Sequence, residues 1–186
     1  MEIVFLIMIA ITATYFIFDQ RIFKKNNIKK AYRNNKDKHH KFNTKSASAP
    51  FKGTLLTGRA YVVDGDTLAI KNTQVRLFGI DAPELDHPYG KSAKGALISL
   101  CKGHNVRAEI IAQDGHGRTV ARCYLTDGRD LSAEMVKLGL AIDWAKFSNG
   151  TYRSLEIPGV RKKLWLADAR QKGRMDIWEK YAARKG

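Results

Sequence analysis

The sequence is poor in cysteine and in acidic residues, and no repeat with a period of 20–50 residues is visible. Two cysteines, Cys101 and Cys123, are too few for a disulfide-rich scaffold or for a zinc site with four cysteine ligands. We expect both to be buried free thiols. A chain of 186 residues and 21.0 kDa has room for one domain with an appendage, which excludes a multidomain enzyme.

Basic residues far outnumber acidic ones. The chain contains 33 Lys and Arg against 18 Asp and Glu, which gives a net charge of +15 and a pI of about 9.9. Such a charge says nothing about the fold, but it favours a polyanionic partner, either nucleic acid or an anionic membrane surface. Hydrophobic residues make up 44% of the sequence, which is enough for a packed core and argues against full disorder.

Part of the positive charge is concentrated in one segment. Residues 21–45 contain ten Lys and Arg against the single acid Asp37, whereas residues 46–186 contain 23 against 15 acids. Residues 21–50 show no apolar periodicity and end in a Ser, Ala and Pro stretch, so they are predicted to form a polybasic, flexible linker. The compact domain is expected over residues 51–182.

Residues 3–18 form an uncharged, largely apolar run. As a helix this run would span about 24 Å, slightly less than a hydrocarbon core of ~30 Å. A flanking side chain such as Arg21 can extend to the interface and make up the difference. We therefore predict a membrane anchor over residues 1–20. A cleaved signal peptide is the alternative, although the start carries no Lys or Arg and no good cleavage site follows.

Turn signals divide the predicted domain into short elements. Five strands are predicted, over Leu56–Val63, Thr67–Lys71, Val75–Ile80, Asn105–Ala112 and Thr119–Thr126. Three helices are predicted, over residues 91–101, residues 130–139 and Val160–Lys172. This order favours a mainly β fold with helices (α+β), in which a five-stranded OB-type barrel packs against about three helices. Barrels of this type commonly bind nucleic acid.

Carboxylates cluster where the predicted strands end. Asp64 and Asp66 flank Gly65 in a turn, and Asp81 and Glu84 follow the third strand. Adjacent strands can bring Asp66 beside Asp81, and two close carboxylates repel unless a cation compensates. Oxygen ligands suit a hard cation such as Ca²⁺ or Mg²⁺. A solvated hairpin turn is the alternative explanation of the Asp-Gly-Asp sequence.

Arg76 stands inside an otherwise apolar strand. Alternation places Arg76 on the same face as Phe78 and Ile80, and a guanidinium inside the barrel needs a carboxylate or phosphate partner. A purely structural ion pair with an aspartate is the alternative. Arg118 follows a turn, and on its own it is typical of a surface cation.

Three motifs occur in order with matching gaps. They are V-D-G-D-T at residues 63–67, V-R-L-F-G-I-D-A-P-E at residues 75–84 and D-G-H-G-R at residues 114–118. Together they resemble the staphylococcal nuclease family, and the resemblance covers about residues 54–180. It implies a five-stranded OB-type barrel with three helices, Ca²⁺-dependent hydrolysis of DNA and RNA, and one Ca²⁺ ion per domain.

The resemblance also implies a set of metal ligands. Asp66 and Asp81 match the carboxylate ligands of calcium, and the main-chain carbonyl of Ala82 matches a third ligand. Asp64 matches a supporting acid near the metal. A backbone ligand tolerates alanine, and Pro83 biases Ala82 towards an extended conformation.

Matching by position also implies catalytic roles. Glu84 corresponds to the general base for the attacking water, and Arg76 and Arg118 correspond to the two phosphate-binding arginines. The stretch over residues 142–147 stands where the family's type member has a tyrosine-rich stretch, so its aromatic residues Trp144 and Phe147 are candidates for a surface on which a nucleotide stacks. Packing in the core is the alternative for these two aromatic residues.

The predicted function is that of a metal-dependent nuclease, preferably an endonuclease, acting on DNA or RNA. Two alternatives are a non-catalytic nucleic-acid-binding OB-fold module tethered to the membrane and a membrane-surface adaptor acting through the basic segment. We expect a bacterial, single-pass, membrane-anchored monomer with no evident protein partner. The charge after residues 3–18 favours a cytoplasmic domain, whereas the family's frequent export favours the opposite side.

Overall fold

The domain combines a barrel-like sheet with short helices. The structure, a computed structural model, describes residues 53–114 and 118–184. Within these residues the strands are β1 (Leu55–Gly58), β2 (Ala60–Val62), β3 (Thr67–Ile70), β4 (Thr73–Leu77), β5 (Ile80–Asp81), β6 (Val106–Gln113), β7 (Thr119–Tyr124) and β8 (Ile142–Asp143). The helices are α1 (Gly90–Cys101), α2 (Leu131–Lys137), α3 (Ala145–Ser148), α4 (Val160–Lys163), α5 (Trp165–Gln171) and α6 (Met175–Ala183), with a 3-10 turn at Arg153–Leu155.

Six strands form one sheet in the order β1-β6-β7-β4-β3-β2, and β5 pairs separately with β8. Only Arg59 separates β1 from β2, so the two edges of the sheet are consecutive in the chain and the sheet curls back on itself. β4 and β7 pair in parallel, and the other neighbours in the sheet are antiparallel. If β1 and β2 are taken as one bent strand, this nearly closed sheet fits the predicted OB-type barrel.

The β3–β4 hairpin fixes the position of the first candidate site residues. Its turn residues Lys71 and Asn72 have φ angles of 47° and 66°, the geometry of a type I′ turn, which matches the twist of paired strands. In this register Thr67 lies opposite Arg76. The hairpin therefore places Arg76 next to Asp66, the residue that precedes β3.

The main core lies between the sheet and the first two helices. It contains apolar side chains of six strands, β2 to β7, together with residues of α1 and α2, among them Leu68, Ile70, Val75, Leu77, Leu97, Val106, Ala121, Met135 and Val136. Cys101 and Cys123 are both buried and free, as predicted. This core supports the turns and loops that carry the candidate site.

Two strand predictions and the expected position of Arg76 need correction. The strand predicted over Leu56–Val63 is interrupted at Arg59, where the sheet bends. The strand predicted over Val75–Ile80 ends at Leu77, because Gly79 adopts a φ of 73° and turns the chain into β5. Val75 and Leu77 face the core, so Arg76 lies on the opposite face of β4, outside the apolar core, although only 13% of its side chain is exposed.

The helices of the C-terminal part also differ from the prediction. The single helix predicted over Val160–Lys172 is two helices, because Leu164 leaves helical geometry (φ −99°, ψ 46°). The side chain of Leu164 is buried in a second small cluster with Ile142 and Val160. Two further helices, α3 and α6, were not predicted, so the described residues contain six helices rather than about three.

Among residues 53–114 and 118–184, no helix combines the length and hydropathy that a membrane crossing requires. The predicted anchor over residues 1–20 and linker over residues 21–50 lie outside the described residues. Membrane attachment through residues 3–18, the domain boundaries and the monomeric state therefore stay predictions.

Candidate active site

The Asp-Gly-Asp turn is held tightly against the neighbouring elements. The carboxylate of Asp64 accepts a hydrogen bond from the backbone N–H of Asp66 at 3.1 Å. A Cβ atom on Gly65 would lie 2.7 Å from the Cβ of Ala93 in α1 and 2.8 Å from the Cβ of Ala82. Only glycine fits at this position, so the turn packs directly on α1 and on the segment that contains Ala82.

Asp66 and Arg76 form a paired unit at the base of the site. The Asp66 side chain is almost fully buried and accepts bonds from Nη1 and Nη2 of Arg76 at 2.9 and 2.8 Å. It also accepts bonds from the Thr67 hydroxyl at 3.0 Å and the Ala82 N–H at 3.2 Å. The carboxylate partner that the sequence demands for Arg76 is therefore present, and it is Asp66.

Asp81 lies beside this unit, as the strand argument predicts. It is completely buried in β5, and its Oδ1 lies 3.8 Å from Nη2 of Arg76. Burial raises the pKa of Asp81 to about 6, although the charge of Arg170 and its hydrogen bonds act in the opposite direction. Burial also raises the pKa of Asp64 to about 6, and the nearby charge of Asp66 adds to this effect.

Arg170 is a prominent site residue that the sequence argument missed. From α5 it donates through Nε to Oδ2 of Asp81 at 3.2 Å and through Nη2 to Oδ1 of the same carboxylate. Nη2 also lies 3.2 Å from the carbonyl oxygen of Ala82, and Nη1 donates to Oε1 of Glu84. One guanidinium thus connects two predicted metal ligands with the predicted general base.

A sequence signal for Arg170 did exist. Leu166, Ala169 and Arg170 follow the i, i+3, i+4 spacing of one helix face, and Leu166 and Ala169 are buried. An arginine beside such a stripe needs a carboxylate, which is the reasoning that we applied to Arg76. This pattern did not show which carboxylate pairs with Arg170, because Asp81 lies 89 positions earlier in the chain.

Glu84 lies in the loop between β5 and α1. Its side chain is 40% exposed, so solvent reaches the carboxylate although one oxygen is bonded to Arg170. The loop is fixed by a close approach at Gly90, where a Cβ atom would lie 1.8 Å from the Glu84 carbonyl oxygen. The structure thus places the predicted base at the rim of the acidic site, near Asp81 and Ala82.

Arg118 and the two candidate aromatic residues lie in an adjoining cleft of about 460 Å³. Arg76, Arg118, Trp144 and Phe147 all line this cleft. Arg118 is bonded to Asp114 at 2.6 Å rather than to the acidic site. The Trp144 and Phe147 rings meet edge to face at 4.9 Å, and Phe147 is 53% exposed. The volume suits a small ligand, and Arg76 connects the cleft to the acids.

The oxygen atoms of the acidic site fit a hard cation. Asp66, Asp81 and the Ala82 carbonyl supply only oxygen donors, and a guanidinium already binds Asp81 and that carbonyl. Within the described part of the chain, no three His, Cys, Asp or Glu side chains are arranged to hold a metal. The predicted ligand set needs two carboxylates and a carbonyl, so this finding is compatible with it.

Comparison with known proteins identifies the family. The model of the staphylococcal nuclease homologue family matches residues 74–180, more than half of the chain, and the protein belongs to this family. This confirms the resemblance drawn from the three motifs.

Individual relatives match only over part of their length. The chain is 32% identical over 112 residues to the succinoglycan biosynthesis protein ExoI of Rhizobium meliloti, covering 54% of this chain and 59% of that protein. It is 37% identical over 123 residues to "Probable endonuclease LCL3" of Phaeosphaeria nodorum, covering 56% and 42%. It is 30% identical over 141 residues to the staphylococcal-like nuclease CAN1 of Arabidopsis thaliana, covering 74% and 40%.

Proposed function

We propose that this protein is a divalent-cation-dependent nuclease that hydrolyses phosphodiester bonds of DNA or RNA, with Ca²⁺ as the expected cation. One observation carries the proposal: the buried Asp66 and Asp81 lie beside a cleft lined by two arginines, and Arg76 belongs to both. The nuclease and endonuclease names of the relatives and the family membership support the same conclusion.

The acidic site would hold the cation. Asp66, Asp81 and the carbonyl of Ala82 would be its ligands, and Asp64 would support them by fixing the backbone of Asp66. A bound divalent ion supplies a Lewis acid for a phosphoryl oxygen. The net negative charge of these buried carboxylates is what makes a cation favourable there.

The arginines would bind and orient the phosphodiester. Two arginine forks that face one cleft can bind phosphate oxygens and stabilise the charge that develops in displacement at phosphorus. Trp144 and Phe147 line the same cleft and offer aromatic surface to a base. DNA and RNA both present the phosphates and bases that this arrangement would recognise.

Glu84 would act as the general base. Its partly exposed carboxylate can accept the proton of a water molecule whose oxygen attacks phosphorus. The water oxygen would form the new P–O bond, the P–O bond to the sugar oxygen of the leaving strand would break, and that sugar oxygen would take up a proton from solvent. In this structure one oxygen of Glu84 accepts a hydrogen bond from Arg170, whose guanidinium also binds Asp81, so the carboxylate of Glu84 lies next to the proposed cation ligands.

A non-catalytic nucleic-acid-binding module is the second candidate. Arg76 and Arg170 already neutralise Asp66 and Asp81, which is how a purely structural ion-pair network would be arranged. This candidate predicts binding without cleavage, whatever cation is present.

Cleavage assays on the full chain test the proposal. We expect plasmid DNA or RNA to be cut with Ca²⁺ and to remain intact in excess EDTA. Asp66→Asn and Asp81→Asn should abolish cleavage, whereas Asp127→Asn should not, because Asp127 is an exposed acid paired with Arg129. Full activity in EDTA would refute the metal assignment, and intact substrate under all conditions would favour the binding module.

A further inference from the structure

We propose that the guanidinium of Arg170 and the divalent cation are alternative occupants of one site, so that Arg170 sets the affinity of the protein for its cation. The inference rests on the proposed function, because it takes Asp81 and the Ala82 carbonyl as cation ligands. It goes beyond that function by assigning a role to a residue of α5 that lies outside the three sequence motifs.

The first argument is geometric. Nη2 of Arg170 lies within hydrogen-bonding distance of Oδ1 of Asp81 and of the carbonyl oxygen of Ala82. A cation coordinated by these two oxygens would have to occupy the position of that nitrogen. Nε of Arg170 meanwhile binds the second oxygen of Asp81, so the fork uses the whole carboxylate. Arg170 in this position and the cation therefore exclude each other.

The second argument concerns charge. Asp66 has its own bidentate partner in Arg76, whereas Asp81 receives only a long contact of 3.8 Å from Arg76. Arg170 is thus the close countercharge of a carboxylate that is completely buried. Such a carboxylate requires one countercharge, but a divalent ion and a guanidinium on the same oxygens would repel each other.

The arrangement has a consequence for the proposed base. Nη1 of Arg170 donates to Oε1 of Glu84, so the same guanidinium that occupies the ligand oxygens also binds Glu84. Displacement of Arg170 by the cation would release one oxygen of Glu84 as well as Asp81. Cation binding and freeing of the base are therefore coupled in one movement of the Arg170 side chain.

Titration of Ca²⁺ into the full chain, followed by calorimetry, tests the inference. Arg170→Met keeps the length of the side chain but removes its charge and hydrogen bonds. If Arg170 occupies the acids in about 90% of molecules, its removal should tighten the apparent Kd about tenfold. The unfolding temperature of Arg170→Met should fall in EDTA, and Ca²⁺ should raise it by more than it raises that of the wild type.

Arg161→Met is the matched control. Arg161 is also partly buried and belongs to the preceding helix, but it binds Glu156, Asp168 and the backbone of Asp143 rather than a predicted ligand. Its loss should lower stability without tightening Ca²⁺ binding.

Tryptophan fluorescence gives a second readout that does not depend on activity. The Arg170 guanidinium lies 5.1 Å from the centre of the Trp178 ring and 5.9 Å from that of Trp144. Ca²⁺ should change the emission of the wild type as Arg170 moves, and this change should be absent in Arg170→Met.

The outcomes separate the two proposals. Equal or weaker Ca²⁺ binding by a folded Arg170→Met, with normal binding by the wild type, would overturn the competition and leave the proposed nuclease intact. If Arg170→Met does not fold, Arg170→Lys decides: one ammonium cannot reproduce the fork, so binding should tighten, and unchanged or weaker binding overturns the inference. Absence of Ca²⁺ binding in wild type and variants would refute the cation site itself and the inference with it.

Discussion

Arg76 and Arg118 line the same cleft but differ in their surroundings. Arg76 is mostly buried and holds Asp66 with two hydrogen bonds, whereas Arg118 is exposed and paired with Asp114. Under the proposed function, Arg76 contributes to both folding and substrate binding, whereas Arg118 contributes to substrate binding alone. This difference can be measured with conservative substitutions.

Arg76→Lys and Arg118→Lys keep the charge but lose the planar fork. For each we expect kcat/KM to fall about 10–100-fold, the equivalent of one hydrogen bond to a charged group. Arg76→Lys should also lose about 1.5–3 kcal/mol of unfolding free energy, because the bidentate contact with buried Asp66 is broken. Arg118→Lys should keep wild-type stability. Steady-state kinetics and denaturant unfolding measure both quantities, and equal stability losses would contradict the distinction.

The raised pKa of Asp64 predicts that the stability of the protein depends on pH. Burial, with the charge of Asp66, raises its pKa from 3.8 to about 6, so between these values the folded protein holds a proton that the unfolded chain has released. The unfolding free energy in EDTA should therefore fall as pH rises from about 4 to about 6. Asp64→Asn cannot titrate but can still accept the N–H of Asp66. The unfolding free energy of Asp64→Asn should therefore fall less over this pH range. Parallel curves of unfolding free energy against pH for the variant and the wild type would argue against a raised pKa of Asp64.

At the scale of elements, the site depends on how closely α1 packs against the β5–α1 loop. Gly90 begins α1 and touches the backbone carbonyl of Glu84, and Gly65 touches Ala93 of the same helix. α1 thus fixes both the Asp-Gly-Asp turn and the loop of the proposed base. On the other side, α6 contributes Trp178, whose indole N–H donates to the Leu166 carbonyl of α5 and thereby supports the helix that carries Arg170.

Gly90→Ala tests this packing, and Gly95→Ala in the same helix is its control. A methyl group on Gly90 would lie 1.8 Å from the Glu84 carbonyl oxygen, so the loop must move. We expect lower stability and a lower kcat/KM. Gly95 has open space around its Cα, so alanine there should raise stability by up to about 1 kcal/mol and leave kcat/KM unchanged. A wild-type kcat/KM for Gly90→Ala would show that catalysis does not depend on the position of the loop that contains Glu84.

The elements differ in how well the sequence predicts them. α1 and the β3–β4 hairpin are predicted within a few residues, because Gly65, Asn72 and regular apolar spacing mark them. α6 was missed although Ile177, Trp178 and Tyr181 follow a helical spacing; this helix packs on α5 through Trp178, and none of its residues is fully buried. The break at Leu164 was missed because it arises from the packing of that side chain in a tertiary cluster.

The residues of the candidate site, like the elements, are predictable where local sequence patterns mark them and not where tertiary packing brings them together. The turn residues and Arg76 are recognisable because acids and an arginine interrupt apolar strands, and the structure brings Asp66, Arg76 and Asp81 together. Arg170 approaches them only through the packing of α5, a contact between distant parts of the chain that local patterns do not encode.

On the scale of the whole molecule, the sequence has a net charge of +15, which contrasts with the small acidic site. Nucleic acid binding should therefore weaken with salt, because basic side chains release counterions from the phosphates. The basic segment at residues 21–45 carries ten of the 33 Lys and Arg residues. This share of the charge lies apart from the family match at residues 74–180.

Removal of residues 1–45 should separate binding from catalysis. We expect a smaller slope of log K against log salt concentration for oligonucleotide binding, with cleavage retained. An unfolding curve of the fragment serves as the control. If the folded fragment binds DNA but cuts nothing while the full chain cuts well, the basic segment belongs to the active site and the division proposed above is wrong.

Comparison of Glu84→Gln with the wild type tests most directly whether the acid–arginine site is catalytic. Glutamine keeps the size of the side chain and can accept the hydrogen bond from Arg170, but it cannot take a proton from water. With Ca²⁺ present, kcat/KM should fall by about 10²–10⁴, while the unfolding temperature and the Kd for Ca²⁺ stay close to those of the wild type. A kcat/KM close to the wild-type value would contradict the catalytic assignment and favour a binding module with the same fold.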